Sequence, residues 1–402
     1  MWTTVPRFGG HIRVYPGRDR LACMYTAAFS RFLADPHRLH FAAHSHHPWP
    51  DVARDAQIRA WDDAARWIDA KWLHVFDTVV PTAQRHIARQ LNLPDPATVA
   101  FATNLHEFVL RLASAVGQRP MRVLTTDSEF HSFARQLERW EEAGEAVATR
   151  VPVEPFESFQ SRWAEAAADD AFDFVYLSQT FFNSGFVVPD IHAAVAAVAS
   201  EQALIAVDGY HSFMAFPVDW SVSADRAFFL AGGYKYAMAG EGACFMHCPP
   251  GWGERPVNTG WFAGFEGLSD AQQGVPYAQD AMRFAGSTFD PTALYRFNAV
   301  QDWLESQSLT PYLIHLHVES LQQQMLSALP VAGLGMDELI PPMPLTRGNF
   351  LTFRSPRAAQ LKEALAKAGV VTDVRDDRLR FGFGIYHSGP DVVALVNRLS
   401  RC

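Results

Sequence analysis

Apolar residues along this chain change their spacing several times, and each change predicts a different kind of element. Residues 1–50 show no period. They are rich in Arg, Pro and His and end in His40-Phe-Ala-Ala-His-Ser-His-His-Pro-Trp-Pro50, where Pro48 and Pro50 forbid a continuing helix. From Asp51 to about Leu91, apolar and aromatic side chains recur at helical spacing (Trp61, Ala65, Ile68, Trp72, Phe76), which predicts helix with an interruption near Pro81. Between about 97 and 250 the pattern turns to short apolar runs separated by helical segments. Met121-Arg-Val-Leu-Thr-Thr, Phe172-Asp-Phe-Val-Tyr-Leu-Ser, Ala203-Leu-Ile-Ala-Val-Asp, Arg226-Ala-Phe-Phe-Leu-Ala and Ala243-Cys-Phe-Met-His are such runs. Runs of this kind, buried on both faces, predict an α/β domain with a largely parallel sheet.

Helical spacing returns from about 291 to 329. A smaller α+β unit then follows, with strands at Asn349-Phe-Leu-Thr-Phe and Arg378-Leu-Arg-Phe-Gly-Phe and helices over 357–368 and 389–399. The organisation expected is therefore an irregular segment over 1–50, a large α/β domain over 51–300, and a small C-terminal α+β domain over 301–402, which the N-terminal segment joins. At 402 residues the chain is long enough for two such bodies.

Composition narrows the function classes. With 49% hydrophobic and 19% charged residues and no biased tract, the chain reads as a globular enzyme. A net charge of -9 argues against a nucleic-acid scaffold, which needs a field of Lys and Arg. Small molecules are the expected partners. The start Met-Trp-Thr-Thr-Val-Pro-Arg lacks the basic and apolar regions of a secretion signal, and no uncharged apolar stretch approaches membrane-spanning length, so a cytoplasmic setting without membrane contact is expected. The cysteines, Cys23, Cys244, Cys248 and Cys402, are too scattered for a disulfide framework. Cys244 and Cys248 share a strand face with His247 between them, but no second ligand pair follows, so they read as buried thiols and no metal is expected.

Chemistry concentrates at two places. Lysine occurs only at 71, 235, 362 and 367, and only Lys235 follows an apolar run and sits among small residues, in Phe229-Leu-Ala-Gly-Gly-Tyr-Lys-Tyr-Ala-Met-Ala-Gly-Glu-Gly242. Such a setting desolvates an amine and lowers its pKa, as an imine-forming lysine requires; a lysine merely reaching solvent from a glycine turn is the plain alternative. The second place is the end of Ala203-Leu-Ile-Ala-Val, where the run stops at Asp208-Gly-Tyr-His211. In an open parallel sheet the ligand lies beyond the carboxyl ends of the strands, so Asp208 points into that crevice unless it only caps a helix.

Asp-x-x-His followed by Tyr-Lys resembles the class V aminotransferase superfamily of fold-type I pyridoxal phosphate (PLP) enzymes, and within it most closely the kynureninases, over a stretch from about Phe41 to the C-terminus. The resemblance implies a PLP-dependent transferase (aspartate aminotransferase-like) fold, with Lys235 as the Schiff-base lysine, Asp208 as partner of the pyridine nitrogen, His211 in the cofactor site, and Tyr234 as phosphate ligand or proton donor. It also implies that Ala102 and Thr103, at the helix start Ala102-Thr-Asn-Leu-His106, hold the phosphate, and that Phe130 stacks on the ring, with His131 as its rival. Trp261 and Thr288 would reach the phosphate from a neighbouring subunit, making a homodimer with shared active sites. Ser45 and Arg380 would bind the amino-acid substrate; Arg375 and Arg378 compete with Arg380 for its carboxylate.

The same resemblance implies hydrolysis of the Cβ–Cγ bond of an amino acid with a side-chain carbonyl, giving L-alanine and a carboxylic acid. Aminotransfer and β-lysis or desulfuration are the alternatives, with a non-catalytic binding module as a third class. His44 and His46 depart from the pattern, as does the segment around Asn183.

Overall fold

In the computed structural model, residues 25–169, 171–267 and 274–402 are described; Cys23 and most of the irregular N-terminal segment lie outside them. Thirteen strands follow in chain order: Leu39–His40 (β1), Val99–Ala102 (β2), Met121–Thr126 (β3), Ala146–Val151 (β4), Phe174–Ser178 (β5), Leu204–Asp208 (β6), Phe228–Gly232 (β7), Cys244–His247 (β8), Leu339–Ile340 (β9), Phe350–Arg354 (β10), Val370–Val371 (β11), Asp373–Arg375 (β12) and Arg378–Gly382 (β13).

Seven strands form one sheet in the order β2-β8-β7-β6-β5-β3-β4, and only β8 runs against the rest. The largely parallel sheet expected from the apolar runs is therefore present. β5, β6 and β7 are buried at every position. Alternation still operates within them, because successive side chains enter opposite layers. Val175, Ile205, Val207 and Phe229 join one core, while Phe174, Tyr176, Leu204 and Phe228 join the other. The less apolar β4 forms an edge with three exposed residues, which is why its run did not stand out.

A second sheet, antiparallel in the order β12-β13-β10-β9, shares a separate core with helices Pro311–Ser327, Ala358–Lys367 and Gly389–Leu399. The N-terminal segment is tied to this smaller body. β1 pairs in parallel with β11, and Ala42 bridges to Gly382 at the end of β13.

The helical stretch after Asp51 departs from expectation in one respect. Helix Asp51–Trp67 ends where Ile68 takes a positive φ of 50°, thirteen residues before Pro81. Pro81 instead sits at the start of helix Val80–Leu91, directly after a wide π-type turn over Val75–Val79. The Val80 N–H there reaches back five residues to the Val75 carbonyl, so the wide turn accommodates the proline and the helical path continues through it. Among the described residues no helix is long and apolar enough to cross a membrane.

Candidate active site

The site is built where β6 and β7 end. β6 terminates in Asp208, which is 8% exposed. Its Oδ1 accepts from the Tyr210 backbone N–H at 2.9 Å, and its Oδ2 accepts from the Tyr176 hydroxyl at 2.9 Å. Tyr176 projects from β5 and is held by Phe133, whose ring stacks on it at 3.8 Å and 8°. Burial pushes the Asp208 carboxyl upward, and these two donors together with Lys235 oppose that shift.

Lys235 lies three residues past β7 and is 5% exposed. Its Nζ and His211 Nε2 share a hydrogen bond of 2.7 Å. Aromatic rings enclose the amine, with Tyr210, Phe130 and Tyr234 centred 5.0, 5.5 and 5.6 Å from Nζ. Burial brings its pKa down to about 7, with Asp208 pulling the other way. Two glycines make this packing possible. A Cβ on Gly232 would sit 2.0 Å from the Tyr210 hydroxyl; one on Gly240, where φ is +72°, would sit 2.3 Å from the Trp49 ring.

These groups line a cavity of about 630 Å³, together with Ser178, Thr180, Phe182 and the helix start Asn104-Leu105-His106. That volume suits a small organic ligand. Asn104 caps helix Leu105–Ala115 by accepting from the Glu107 N–H, so the positive end of that helix faces the cavity. His211 Nδ1 is buried without a protein partner. Because an unpaired buried polar atom is costly, it marks a place for a ligand atom.

Of the residues singled out from the sequence, Phe130, Asp208, His211, Tyr234 and Lys235 come together here. Phe130, rather than His131, is the one of that pair on the cavity wall. Ala102, Thr103 and Thr288 line a second cavity of about 470 Å³ with Gly260 and Phe262. Trp261 lies 44% exposed, stacked on Phe262 at 4.3 Å. Within this single chain, then, the second group lines a different cavity from Lys235.

The three arginines are separated by their partners. Arg378 binds Glu154 at 3.0 Å and the Asn183 carbonyl at 3.2 Å; Arg375 binds Asp373 Oδ1 at 2.8 Å. Arg380 is 2% exposed and donates to Asp373 Oδ2 and to the carbonyl of Phe182, a cavity residue. Ser45 sits beside His46, which stacks on Tyr234 at 5.4 Å.

Glu129 was not singled out. It is buried, accepts from Thr126 Oγ1 at 2.8 Å and from Ser178 Oγ at 2.5 Å, and burial pushes its carboxyl up to about 8. Its place next to Phe130 was the available signal. The expected buried thiols are seen: Cys244 and Cys248 are both enclosed, and the ring nitrogens of His247 are taken by Thr98 and the Ala224 carbonyl.

Residues 305–399 match the family model of the kynureninase C-terminal domain. The curated kynureninase of Deinococcus radiodurans is 30% identical over 234 residues, 54% of each chain, so the present chain spans about half the length of that relative in the match. Among solved structures, the cystine C-S lyase C-DES in complex with cysteine persulfide aligns with a TM-score of 0.79 at 15% identity, covering 92% of this chain and 98% of that one. The cysteine desulfurase CsdA of Escherichia coli aligns with a TM-score of 0.78 at 16% identity, covering 94% and 98%. At these identities the structures speak for the fold, which is the aspartate aminotransferase-like fold expected from the sequence. The likeness to the class V superfamily, near kynureninase, is borne out by the family model, the curated relative and the fold together.

Proposed function

We propose that the chain is a PLP-dependent hydrolase of the kynureninase type, cleaving the Cβ–Cγ bond of an amino acid that carries a side-chain carbonyl. The observation that carries this reading is the sealed pairing of Lys235 Nζ with His211 Nε2, at 2.7 Å, in a cavity that Asp208 also lines. The residues present fit the cofactor. Lys235 would hold its aldehyde, Asp208 its ring nitrogen and Phe130 its face, while the start of helix Leu105–Ala115 would face its phosphate. The unpaired Nδ1 of His211 would offer a further hydrogen-bonding position. When bound, PLP supplies an electron sink for the bonding pair released at the substrate Cα.

The remaining tasks belong to the protein. Lys235, whose pKa burial brings down to about 7, would remove the Cα proton. Asp208, held by Tyr176 and the Tyr210 N–H, would present its carboxyl at the strand end to the ring nitrogen. Tyr234 has its phenol pKa raised by burial, which suits a proton donor better than a base. Arg380 is the residue assigned to the substrate carboxylate, since Arg378 is engaged elsewhere and Arg375 lies nearer solvent.

Hydrolysis is preferred to sulfur removal because the sequence matches are to kynureninase, whereas the C-S lyase and desulfurase agree in fold alone. A homodimer is part of the reading. Val257, Trp261 and Phe265 are exposed apolar side chains on the segment that carries Gly260, and a second protomer would cover them.

The test is a substrate panel on purified protein. Release of alanine and anthranilate from kynurenine without an oxo-acid acceptor is the expected result; turnover that requires an acceptor would assign the chain to transamination instead. An absorption band near the visible edge, lost in Lys235→Ala, checks the cofactor assignment independently.

A further inference from the structure

Arg380, Arg375, Asp373 and His44 form a polar knot, buried at Arg380 and His44 and partly exposed at Asp373 and Arg375, whose charges do not balance. Asp373 divides its two oxygens between two guanidinium groups, Oδ1 to Arg375 and Oδ2 to Arg380. Two cations thus share one anion. The Nε atoms of both arginines are enclosed and have no partner. Beside them His44 is 0% exposed, stacked on Phe350 at 4.6 Å, with neither ring nitrogen hydrogen-bonded and its Nε2 3.8 Å from Asp373 Oδ2. The knot is thus short of one negative charge and has several buried N–H groups unsatisfied, each costly to leave so. One added carboxylate corrects both. The knot is also joined to the Lys235 cavity, because Arg380 donates to the carbonyl of the cavity residue Phe182 and because the Phe350 ring lies 5.4 Å from that of His211.

We propose that the carboxylate of an amino-acid ligand takes the Nε edge of Arg380 and displaces Asp373 toward Arg375 and His44, so that Asp373 and His44 set how strongly the site selects amines bearing a carboxylate. The inference rests on the amino-acid reading above and adds two positioning residues to it. In the ligand-free chain Asp373 occupies Arg380 and neutralises it. An incoming carboxylate must outcompete it, and an amine without one gains nothing from doing so. His44 has an N–H within a short movement of the displaced oxygen, and a neutral imidazole is enough to make that bond. With the ligand in place two carboxylates face two guanidiniums, and the charges balance.

The experiment titrates the cofactor-loaded chain with L-alanine and, separately, with ethylamine, which is alanine without its carboxylate, following the absorption band. Asp373→Asn keeps the shape but releases Arg380, so L-alanine is expected to bind about tenfold tighter with ethylamine unchanged. His44→Ala removes the N–H donor that meets displaced Asp373, so L-alanine is expected to bind about tenfold more weakly, again with ethylamine unchanged. His44→Gln, whose amide reaches as far as Nε2, is expected to restore L-alanine binding to within about threefold. Weaker L-alanine binding in Asp373→Asn, or equal shifts for the two ligands, would overturn the proposal. If Asp373→Asn does not fold, the two His44 variants decide the matter on the same criterion.

Propionate, titrated calorimetrically into the purified chain, reads the knot without the band; it is expected to bind more tightly to Asp373→Asn than to the unaltered chain. A chain that shows no PLP band but binds propionate in this pattern refutes the enzyme reading and upholds the inference. A chain with the band whose selection ignores Asp373 refutes the inference alone.

Discussion

Lys235 Nζ lies 2.7 Å from His211 Nε2, and both side chains are closed off from solvent. The amine makes the imidazole harder to charge. Burial lowers both pKa values, and for His211 the neighbouring Lys235 amine adds to what burial does. The pair therefore rests with at most one proton between the two nitrogens, the condition an attacking amine requires.

This depression costs stability in the cofactor-free chain, with a definite sign. Between pH 7 and about 10.5 the unfolded lysine stays protonated while the folded one does not, so stability rises with pH through that window. Lys235→Met removes the penalty. Urea denaturation of cofactor-free protein should find the variant more stable by roughly 4 kcal/mol at pH 7, with the gap narrowing steadily toward pH 10.

Glu129 titrates in the opposite sense. Its folded carboxyl holds a proton up to about pH 8, whereas the unfolded one loses it near 4.5, so its contribution to stability declines as pH rises between those values. Glu129→Gln retains a neutral polar group beside Ser178 and Thr126 and should exceed the wild type in stability at pH 8 but not at pH 4.5. Glu129→Ala should lose about 2 kcal/mol at pH 4.5, because Ser178 Oγ and Thr126 Oγ1 lose their shared acceptor, and the loss should shrink or vanish at pH 8, where the wild type carries the cost of the buried carboxyl. Thermal melts at the two pH values separate the variants.

Asp208→Ala removes the anion at the strand end while leaving Lys235 to hold the cofactor. Turnover should fall by about 100-fold or more, with the absorption band largely retained. Stopped assays and absorbance on one preparation check both parts; undiminished turnover would remove Asp208 from the chemistry.

Arg378→Ala provides a control for Arg380. Arg378 ties Glu154 and the Asn183 carbonyl to the small sheet, so its loss should lower stability by about 1 kcal/mol and leave KM within about twofold. A large rise in KM would make Arg378, and not Arg380, the partner of the substrate carboxylate.

The cofactor half of this site was legible because its signals are local. Lys235 is one of four lysines and sits in a glycine-rich stretch, and Asp208 ends an apolar run, so each marks itself within a few residues. Glu129, Tyr176 and Phe133 were silent, since their meaning depends on β3 and β5 being neighbours. Glu129 meets Ser178 across 49 positions of chain. His44 registered only as an odd residue in its segment; that both its nitrogens are stranded beside Asp373 is a fact of packing. The break at Ile68 was missed because a positive φ at a β-branched residue leaves no compositional trace, while Pro81 drew attention to a place where the helix in fact starts.

The pairing of β1 with β11 makes the two distant stretches of the chain a single mechanical part. His44 and Ser45 follow β1 and travel with Arg380, through the bridge from Ala42 to Gly382. Deleting β11 to β13 would consequently not leave an intact front end lacking a tail. It would strip the leading strand of its only sheet neighbour among the described residues and scatter the histidines that follow it, while the seven-stranded sheet behind Lys235 would keep all of its own pairings.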